Sequence, residues 1–344
     1  MIAMGFMQSD WEVTVVIDLF MGGGGAGLLA LSGILCLIGK DRYRREAACG
    51  SWIGFGCIVV GLLCLLADVG QPLRAMLLPV SFSHLTSWMA FGAWFMLFAL
   101  VASFVLAVST TDRAAALVMR VWPGFGLARQ AFARVVSVLG IAAGFMVTVY
   151  TGFLISSATG VPFWSTLLLP AGFCVSAFYL ALAVMAALMS AFDLRGERAG
   201  AARRVLGVAC IVCGVAFGGL VAWHLRLALT GDLASGVALS SAGAAEAART
   251  SANALLRGDL APLFWGGLVT AGLAVPLALA VACLAMPRTE AWTRRRCVVA
   301  VACAACALVG VFAWRYLVLA VGIHQPLSSV DVVQIAAGTV FSFR

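Results

Sequence analysis

Charged side chains are scarce in this sequence: Asp, Glu, Lys and Arg together make up 10% of its 344 residues. A soluble domain carries roughly 25%. Hydrophobic residues make up 63%, and the mean hydropathy is +1.08. One buried core cannot hold so many apolar side chains, so many of them must face lipid. The composition excludes a water-soluble protein and predicts an all-α integral membrane protein.

Histidine is also scarce, and a transmembrane haem pair needs histidines at matched depths on facing helices. The three histidines are all predicted near the outer surface of the membrane, and they are His84, His224 and His324. Most of the 11 cysteines fall within apolar runs, where they serve as small packing residues. Two Cys-x-x-Cys pairs occur, at 210–213 and 303–306, but no His follows either pair. We therefore expect no haem, iron–sulfur cluster or metal site in this chain.

Long apolar runs separated by charged or turn-forming residues predict eight membrane spans. The spans are expected near residues 13–38, 49–67, 86–109, 135–158, 166–192, 205–229, 263–286 and 297–322. They use most of the chain, so residues 1–344 are predicted to form a single polytopic membrane domain. Residues 113–134 mix arginines with apolar side chains, which predicts a cytoplasmic interfacial segment. The outer loop 231–262 is either a partner surface or a short helix.

Basic residues are concentrated on one side of the predicted membrane. Lys and Arg near span ends are retained on the cytoplasmic side, whereas acidic residues have little effect. Most of the 22 Lys and Arg fall in the four loops that an even number of spans places on the same side. These residues are Lys40, Arg42, Arg44, Arg45, Arg113, Arg120, Arg129, Arg134, Arg195, Arg198, Arg203, Arg204, Arg288, Arg294, Arg295 and Arg296. Both termini are therefore predicted on the outer, extracytoplasmic side.

The net charge of +8 comes mainly from these inner loops, where it orients the protein and meets anionic lipid. We therefore expect the lipid bilayer, and not nucleic acid, as the partner of the basic residues. Asp10 and Glu12 precede the first apolar run, where a signal peptide would carry basic residues. That run is expected to be a first span and not a cleaved signal peptide.

Polar and ionisable side chains inside a membrane are costly and are functional candidates by default. Here they lie toward the outer ends of several spans: Asp18, Asp68, His84, Tyr150, His224, Arg226, Arg315 and His324. This asymmetry predicts a polar pocket beneath the outer surface. Arg315 could instead pair with a carboxylate or a helix C-terminus for structural reasons. Asp68 and Arg74 could form a local ion pair around Pro72.

Glycines cluster in the first span, at residues 22–25 and at Gly27. No Gly-Lys-Ser/Thr sequence follows, and the run lies within lipid, so a phosphate-binding loop is excluded. Gly23 and Gly27 are spaced to leave one helix face without side chains. We expect a neighbouring helix or an isoprenoid tail to approach closely there.

Four motifs follow one another along most of the chain. They are Ile17-Asp18-Leu19-Phe20-Met21-Gly22-Gly23, Asp68-Val-Gly-Gln-Pro-Leu-Arg74, Ser87-Trp-Met-Ala-Phe-Gly-Ala-Trp94, and Tyr150-Thr-Gly-Phe-Leu154 with Pro162-Phe-Trp164. In these motifs the chain resembles the NrfD-like, polysulfide reductase type membrane subunits of molybdopterin and iron–sulfur oxidoreductases. Gln71 replaces the arginine that is usual in the second motif. Asp18 and its neighbours stand where family members often carry Tyr, His or Asn.

The resemblance implies eight spans in two four-helix-bundle-like halves, with a quinone or quinol site in the first half. It implies a membrane anchor in the bacterial inner (cytoplasmic) membrane that is not catalytic on its own. The anchor would exchange electrons between the quinone pool and an iron–sulfur subunit on the outer, periplasmic face. That subunit would in turn connect to a molybdopterin catalytic subunit. Menaquinone is expected rather than ubiquinone.

Site residues follow from the motif positions and from the depth of the polar side chains. Tyr150 would hydrogen-bond a quinone carbonyl, and either Asp18 or His84 would hold the other. Trp88 would line the head group. Asp68, Arg74 and Arg315 would relay protons to the outside or form the wall of the site.

Two other functions are compatible with a polytopic membrane protein. A secondary transporter places polar groups near the midplane and often contains inverted repeats with broken helices. Here the polar groups lie toward one face, and the only internal echo is Cys57-Ile-Val-Val-Gly61 against Cys210-Ile-Val-Cys-Gly214. A purely structural anchor without a ligand site is the second alternative.

Overall fold

The computed structural model describes residues 13–39, 42–68, 88–158, 160–192, 200–233, 241–286 and 290–323. These residues form helices throughout: α1 (Val13–Gly39), α2 (Arg44–Asp68), α3 (Trp88–Thr110), α4 (Asp112–Val121), α5 (Phe125–Ser156), α6 (Leu168–Phe192), α7 (Gly200–Thr230), α8 (Ser241–Arg257), a π-helical segment π1 (Leu263–Ala274), α9 (Val275–Ala285) and α10 (Glu290–Ala320). In this part of the chain, eight helices are long and apolar enough to cross a membrane, counting π1 and α9 as one span. The prediction of an all-helical protein with eight spans is confirmed.

Helix α1 is the most buried of the eight spans and packs against α2, α5, α6 and α10. Its glycines allow this close packing. A Cβ on Gly25 would lie 2.8 Å from the carbonyl oxygen of Gly54 on α2, and one on Gly27 would lie 2.9 Å from that of Ala177 on α6. The bare face predicted at Gly27 therefore meets a neighbouring helix.

The connections on the basic side bring two arginines to one carboxylate. Asp112, at the start of α4, accepts hydrogen bonds from Arg44 of α2 at 2.6 Å and from Arg129 of α5 at 3.1 Å. The Arg44 Nε also donates to the carbonyl of Thr110 at the end of α3. These bonds hold the ends of α2, α3 and α5 together.

Arg113 and Arg120 lie on α4, whereas Arg129 and Arg134 belong to the first turns of α5. The predicted outer loop contains α8.

Segment π1 has a local cause. In an α-helix the carbonyl of Gly272 would accept a hydrogen bond from the N–H of residue 276, but Pro276 has no N–H. The backbone bonds instead span five residues, as in the bond from the Val275 N–H to the Thr270 carbonyl. The carbonyl of Gly272 accepts a hydrogen bond from the Tyr179 hydroxyl of α6 at 3.1 Å.

We expect Gly310→Ala to destabilise the protein. The backbones of π1 and α10 touch at Gly272 and Gly310, so a Cβ on either glycine would overlap the other. Forcing extra atoms into such a contact costs about 1–3 kcal/mol, which a thermal unfolding scan in detergent would detect as a lower midpoint. Gly266→Ala is the control, because a Cβ there meets nothing within 4 Å. Equal midpoints for the two variants would contradict the contact.

Candidate functional site

Two of the predicted site residues, Asp18 and Tyr150, lie at similar depth. Asp18 is one turn or so inside the start of α1, and Tyr150 lies a similar distance inside the end of α5. At 1.5 Å per residue both are about 8–9 Å from their helix ends. Both are buried, with exposed fractions of 8% and 6%, and they interact electrostatically. A buried carboxyl and a buried phenol thus lie near each other in a mainly apolar surrounding.

Glycines and one flexible side chain surround Asp18. A Cβ on Gly61 of α2 would lie 3.1 Å from the Asp18 carboxylate, so at this position the helix presents backbone to the acid. One turn further along α1, a Cβ on Gly22 would lie 3.0 Å from the terminal methyl group of Met96 on α3. Any larger residue at 22 or 61 would occupy the space next to the carboxylate.

The Tyr150 ring lies directly on the backbone of α3. A Cβ on Gly92 would overlap both the ring and the hydroxyl of Tyr150. On the same helix the Phe95 ring meets Tyr150 edge-on, with centroids 6.4 Å apart. Gly92 therefore provides the recess for the tyrosine, and Phe95 fixes the orientation of its ring.

Arg315 belongs to α10 and packs against a different face of α1 from the one that carries Asp18. Its side chain is fully buried, Nη2 donates to the Phe173 carbonyl of α6 at 3.0 Å, and the guanidinium lies 3.6 Å from the Phe173 ring centroid. A Cβ on Gly23 would lie 3.3 Å from Nη2. With 3.6 residues per turn, Gly23 and Asp18 point about 140° apart around α1. Within the described residues, Nε and Nη1 of Arg315 have no hydrogen-bond partner.

The other predicted site residues fall partly or wholly outside the described residues. Asp68 ends α2 and Trp88 begins α3, but the structure does not describe their side chains. His84, Arg74 and the loop between the two helices lie outside the described ranges. Of the remaining candidates, His224 is buried on α7 with its ring edge against Phe163.

Sequence reasoning did not identify Gly61, Gly92, Phe95 and Met96 as parts of the site. Gly92 lies inside the Ser87–Trp94 motif, so the motif could have indicated it. Nothing in the sequence marks Gly61, Phe95 or Met96 as site residues, because apolar side chains and glycines are common within membrane spans. Only the packing of four helices shows which of them face Asp18 and Tyr150.

The cluster offers a hydroxyl that donates and accepts hydrogen bonds and a carboxyl that can exchange a proton. Both groups face apolar and glycine surfaces, a setting that suits a flat, mainly apolar ligand with polar oxygens. In the described part of the chain, no group of three or more His, Cys, Asp or Glu side chains could hold a metal ion.

A comparison with curated proteins gives no match. A scan against family models gives a match to polysulphide reductase, NrfD, over residues 4–326. Membrane subunits of this family are generally quinone-reactive and typically pair with iron–sulfur and molybdopterin subunits of oxidoreductase complexes. Because the match covers nearly the whole chain, which also has the eight spans of a multi-pass membrane protein, the chain belongs to the NrfD polysulphide reductase family.

Proposed function

We propose that this chain is the membrane anchor and quinone-binding subunit of a molybdopterin and iron–sulfur oxidoreductase. It exchanges electrons between the quinone pool and an iron–sulfur partner subunit on the outer face. The observation that carries the proposal is the burial of Asp18 and Tyr150, a carboxyl and a phenol near enough to interact electrostatically, among α1, α2, α3 and α5. A purely structural anchor has no need for a buried carboxylate beside a buried phenol, since such groups are costly in a membrane.

The residues present fit a quinone head group. Gly92 seats the Tyr150 ring against the backbone of α3, and the Gly61 backbone of α2 lies close to the Asp18 carboxylate, so both polar groups are positioned by neighbouring helices. Tyr150 would donate a hydrogen bond to one carbonyl oxygen of the quinone. Asp18 would donate to the other oxygen when protonated, and as a carboxylate it would accept the proton of the quinol hydroxyl. A bound quinone supplies two-electron, two-proton redox chemistry. Met96 and Phe95 close the site with apolar surface, which keeps water from the polar pair.

The remaining site residues extend this proposal toward the outer surface. We place His84 and Trp88 at the head group, and we assign Asp68 and Arg74 to the path by which protons reach water. Arg315 forms the wall behind α1, against Phe173 and Gly23. Menaquinone is the proposed quinone.

The proposed orientation puts both termini and the site on the periplasmic side of a bacterial inner membrane. The even number of spans and the basic ends of α2, α4 and α5 support it. The first four spans form one half of the protein and the last four form the other. The iron–sulfur partner then docks on the face nearest Asp18 and Tyr150, and the molybdopterin subunit binds beyond it.

The titratable carboxyl of Asp18 gives the first test. Asp18→Asn keeps the shape of the side chain but removes its proton exchange, and general acid–base catalysis is worth about 100-fold to 10,000-fold. We expect quinol oxidation by the purified complex to fall by at least about 100-fold in kcat, with a smaller change in KM. The measurement is steady-state oxidation of a short-chain menaquinol by the intact complex.

Asp232→Asn is the matched control, because Asp232 is an exposed aspartate after the end of α7. Its turnover should equal that of the unaltered complex. Unchanged kcat in Asp18→Asn would remove Asp18 from the proton path. Uptake of a solute by the isolated chain in vesicles would instead favour a transporter.

A further inference from the structure

A cavity lies at the opposite end of the helices from Asp18 and Tyr150. It is about 350 Å³ in volume and opens between the end of α1, the start of α2, the end of α3 and the start of α5. Its polar lining comes from Arg44, Ser109, Thr110, Arg129, Gln130 and Arg134. Three guanidinium groups around one cavity form a site for an anion.

The positive charge of the arginines around this cavity exceeds the negative charge of the acids that pair with them. This holds among the described residues that line the cavity or bind its arginines. Asp112 is the acid that pairs with these arginines, and it binds Arg44 and Arg129 through the same carboxylate oxygen. Arg134, on the next turn of α5, adds a third positive charge. One carboxylate against three guanidinium groups leaves an excess of positive charge.

Two buried donors at the cavity have no hydrogen-bond partner in the described part of the chain. They are Nη2 of Arg129 and the hydroxyl of Ser109, whose residue is only 2% exposed. The Arg129 side chain is already fixed, because its Nε donates to the Ser109 carbonyl at 2.7 Å and its Nη1 to Asp112. A ligand that accepts hydrogen bonds from these two donors would satisfy them.

An apolar cavity of about 170 Å³ adjoins the basic one, and Ser109 lines both. Its walls are side chains of α3, α4 and α5, including Phe104, Val108, Trp122 and Phe132. A polar, basic chamber beside an apolar one matches a molecule with an anionic head and a hydrocarbon tail. Inorganic phosphate would use only the first chamber.

We propose that the two cavities together bind one anionic phospholipid. The phosphate group accepts hydrogen bonds from Arg129, Arg134 and Ser109, and one acyl chain lies along the apolar cavity. Arg44 remains paired with Asp112 and contributes charge to the edge of the site. In the proposed orientation this lipid belongs to the cytoplasmic leaflet, and it is independent of the quinone site.

Native mass spectrometry of the full chain in detergent tests this site, with dioleoyl phosphatidylglycerol as the probe. We expect one tightly bound copy and weaker binding of dioleoyl phosphatidylcholine, whose head group has no net charge. Arg134→Gln should weaken phosphatidylglycerol binding about fivefold, since each arginine near the membrane surface contributes about 1 kcal/mol. Ser109→Ala should also weaken it, without removing any charge. Arg134→Lys should retain most of the affinity.

Arg113→Gln is the matched control, because Arg113 is an exposed arginine on α4 that does not line either cavity. It removes the same charge from the same end of the protein. Equal losses in Arg134→Gln and Arg113→Gln would show a general surface attraction and would overturn the site. Displacement of the lipid by millimolar inorganic phosphate, or equal affinity for phosphatidylcholine, would also overturn it.

Discussion

Tyr150→Phe is expected to lower the affinity for a short-chain menaquinone analogue by about fivefold to 150-fold. The substitution keeps the ring on Gly92 and beside Phe95, so the packing of α3 and α5 is retained. It removes the hydroxyl, and a buried carbonyl oxygen left without its donor costs about 1–3 kcal/mol. Each 1.4 kcal/mol corresponds to about tenfold in affinity. Equilibrium binding to the purified protein measures the change, and the unfolding midpoint should stay the same.

Tyr316→Phe provides the matched control for this experiment. Tyr316 is a partly buried tyrosine of α10 that lines a separate apolar cavity with Phe20 and Phe312. It undergoes the same chemical change without touching Asp18 or Tyr150. Unchanged affinity in Tyr150→Phe, or an equal loss in Tyr316→Phe, would contradict the role of the Tyr150 hydroxyl.

Gly92→Ala is expected to have the larger effect, because it moves the whole tyrosine. A Cβ at this position overlaps the ring and hydroxyl of Tyr150, so the ring must leave its recess or α3 must move away from α5. Overpacking of this kind costs about 1–3 kcal/mol of stability. We expect both a lower unfolding midpoint and a loss of quinone affinity at least as large as that of Tyr150→Phe.

Two further variants separate displacement of Tyr150 from general damage. Gly56→Ala adds the same methyl group to an exposed position of α2 where a Cβ meets nothing within 4 Å, and it should change neither quantity. In the double variant Gly92→Ala with Tyr150→Leu, the smaller side chain relieves the overlap. It should regain stability but not affinity, a non-additive result that residues in direct contact produce. Purely additive losses would show that the two residues are not coupled.

The sequence predicted the span number well because each span is a long apolar run, and lipid imposes the same requirement on all of them. It singled out Asp18 and Tyr150 as candidate site residues because polar groups are rare in such runs, and their role stays a prediction. The helix starts were less accurate: α5 begins at Phe125, ten residues before the predicted span. A helix continues into the interfacial region as long as its backbone bonds are satisfied, and hydropathy does not report that extension.

The motifs combine residues of the site with residues of the scaffold, and the sequence alone does not separate them. Tyr150 lies against Gly92 in the proposed site, but Gly152 of the same motif packs against the backbone of Pro170. Trp164 is fully buried, and its indole N–H donates to the carbonyl of Val318 at the end of α10. Both residues position helices and contact neither Asp18 nor Tyr150 in the contacts described.

The position of Arg315 could not be predicted because it depends on how α10 faces α1. Its depth in the last span suggested a place in the same pocket as Asp18. The structure puts it against Phe173 and the opposite side of α1, at Gly23. Segment π1 shows the same limit, since its cause is Pro276 but its stabilising partner, Tyr179, comes from a distant part of the chain.

Photoaffinity labelling with an azido-menaquinone analogue is the most direct test of the proposed quinone site. The intact complex is labelled in native membranes, and the modified residues are found by mass spectrometry. We expect labels near Asp18 on α1, between Gly92 and Met96 on α3, and near Tyr150 on α5, and unlabelled menaquinone should compete with them. An apolar cavity of about 340 Å³, lined by Phe20, Leu308, Phe312 and Tyr316, offers a different place for a quinone. Competed labels confined to α10 at that cavity would contradict the site at Asp18 and Tyr150.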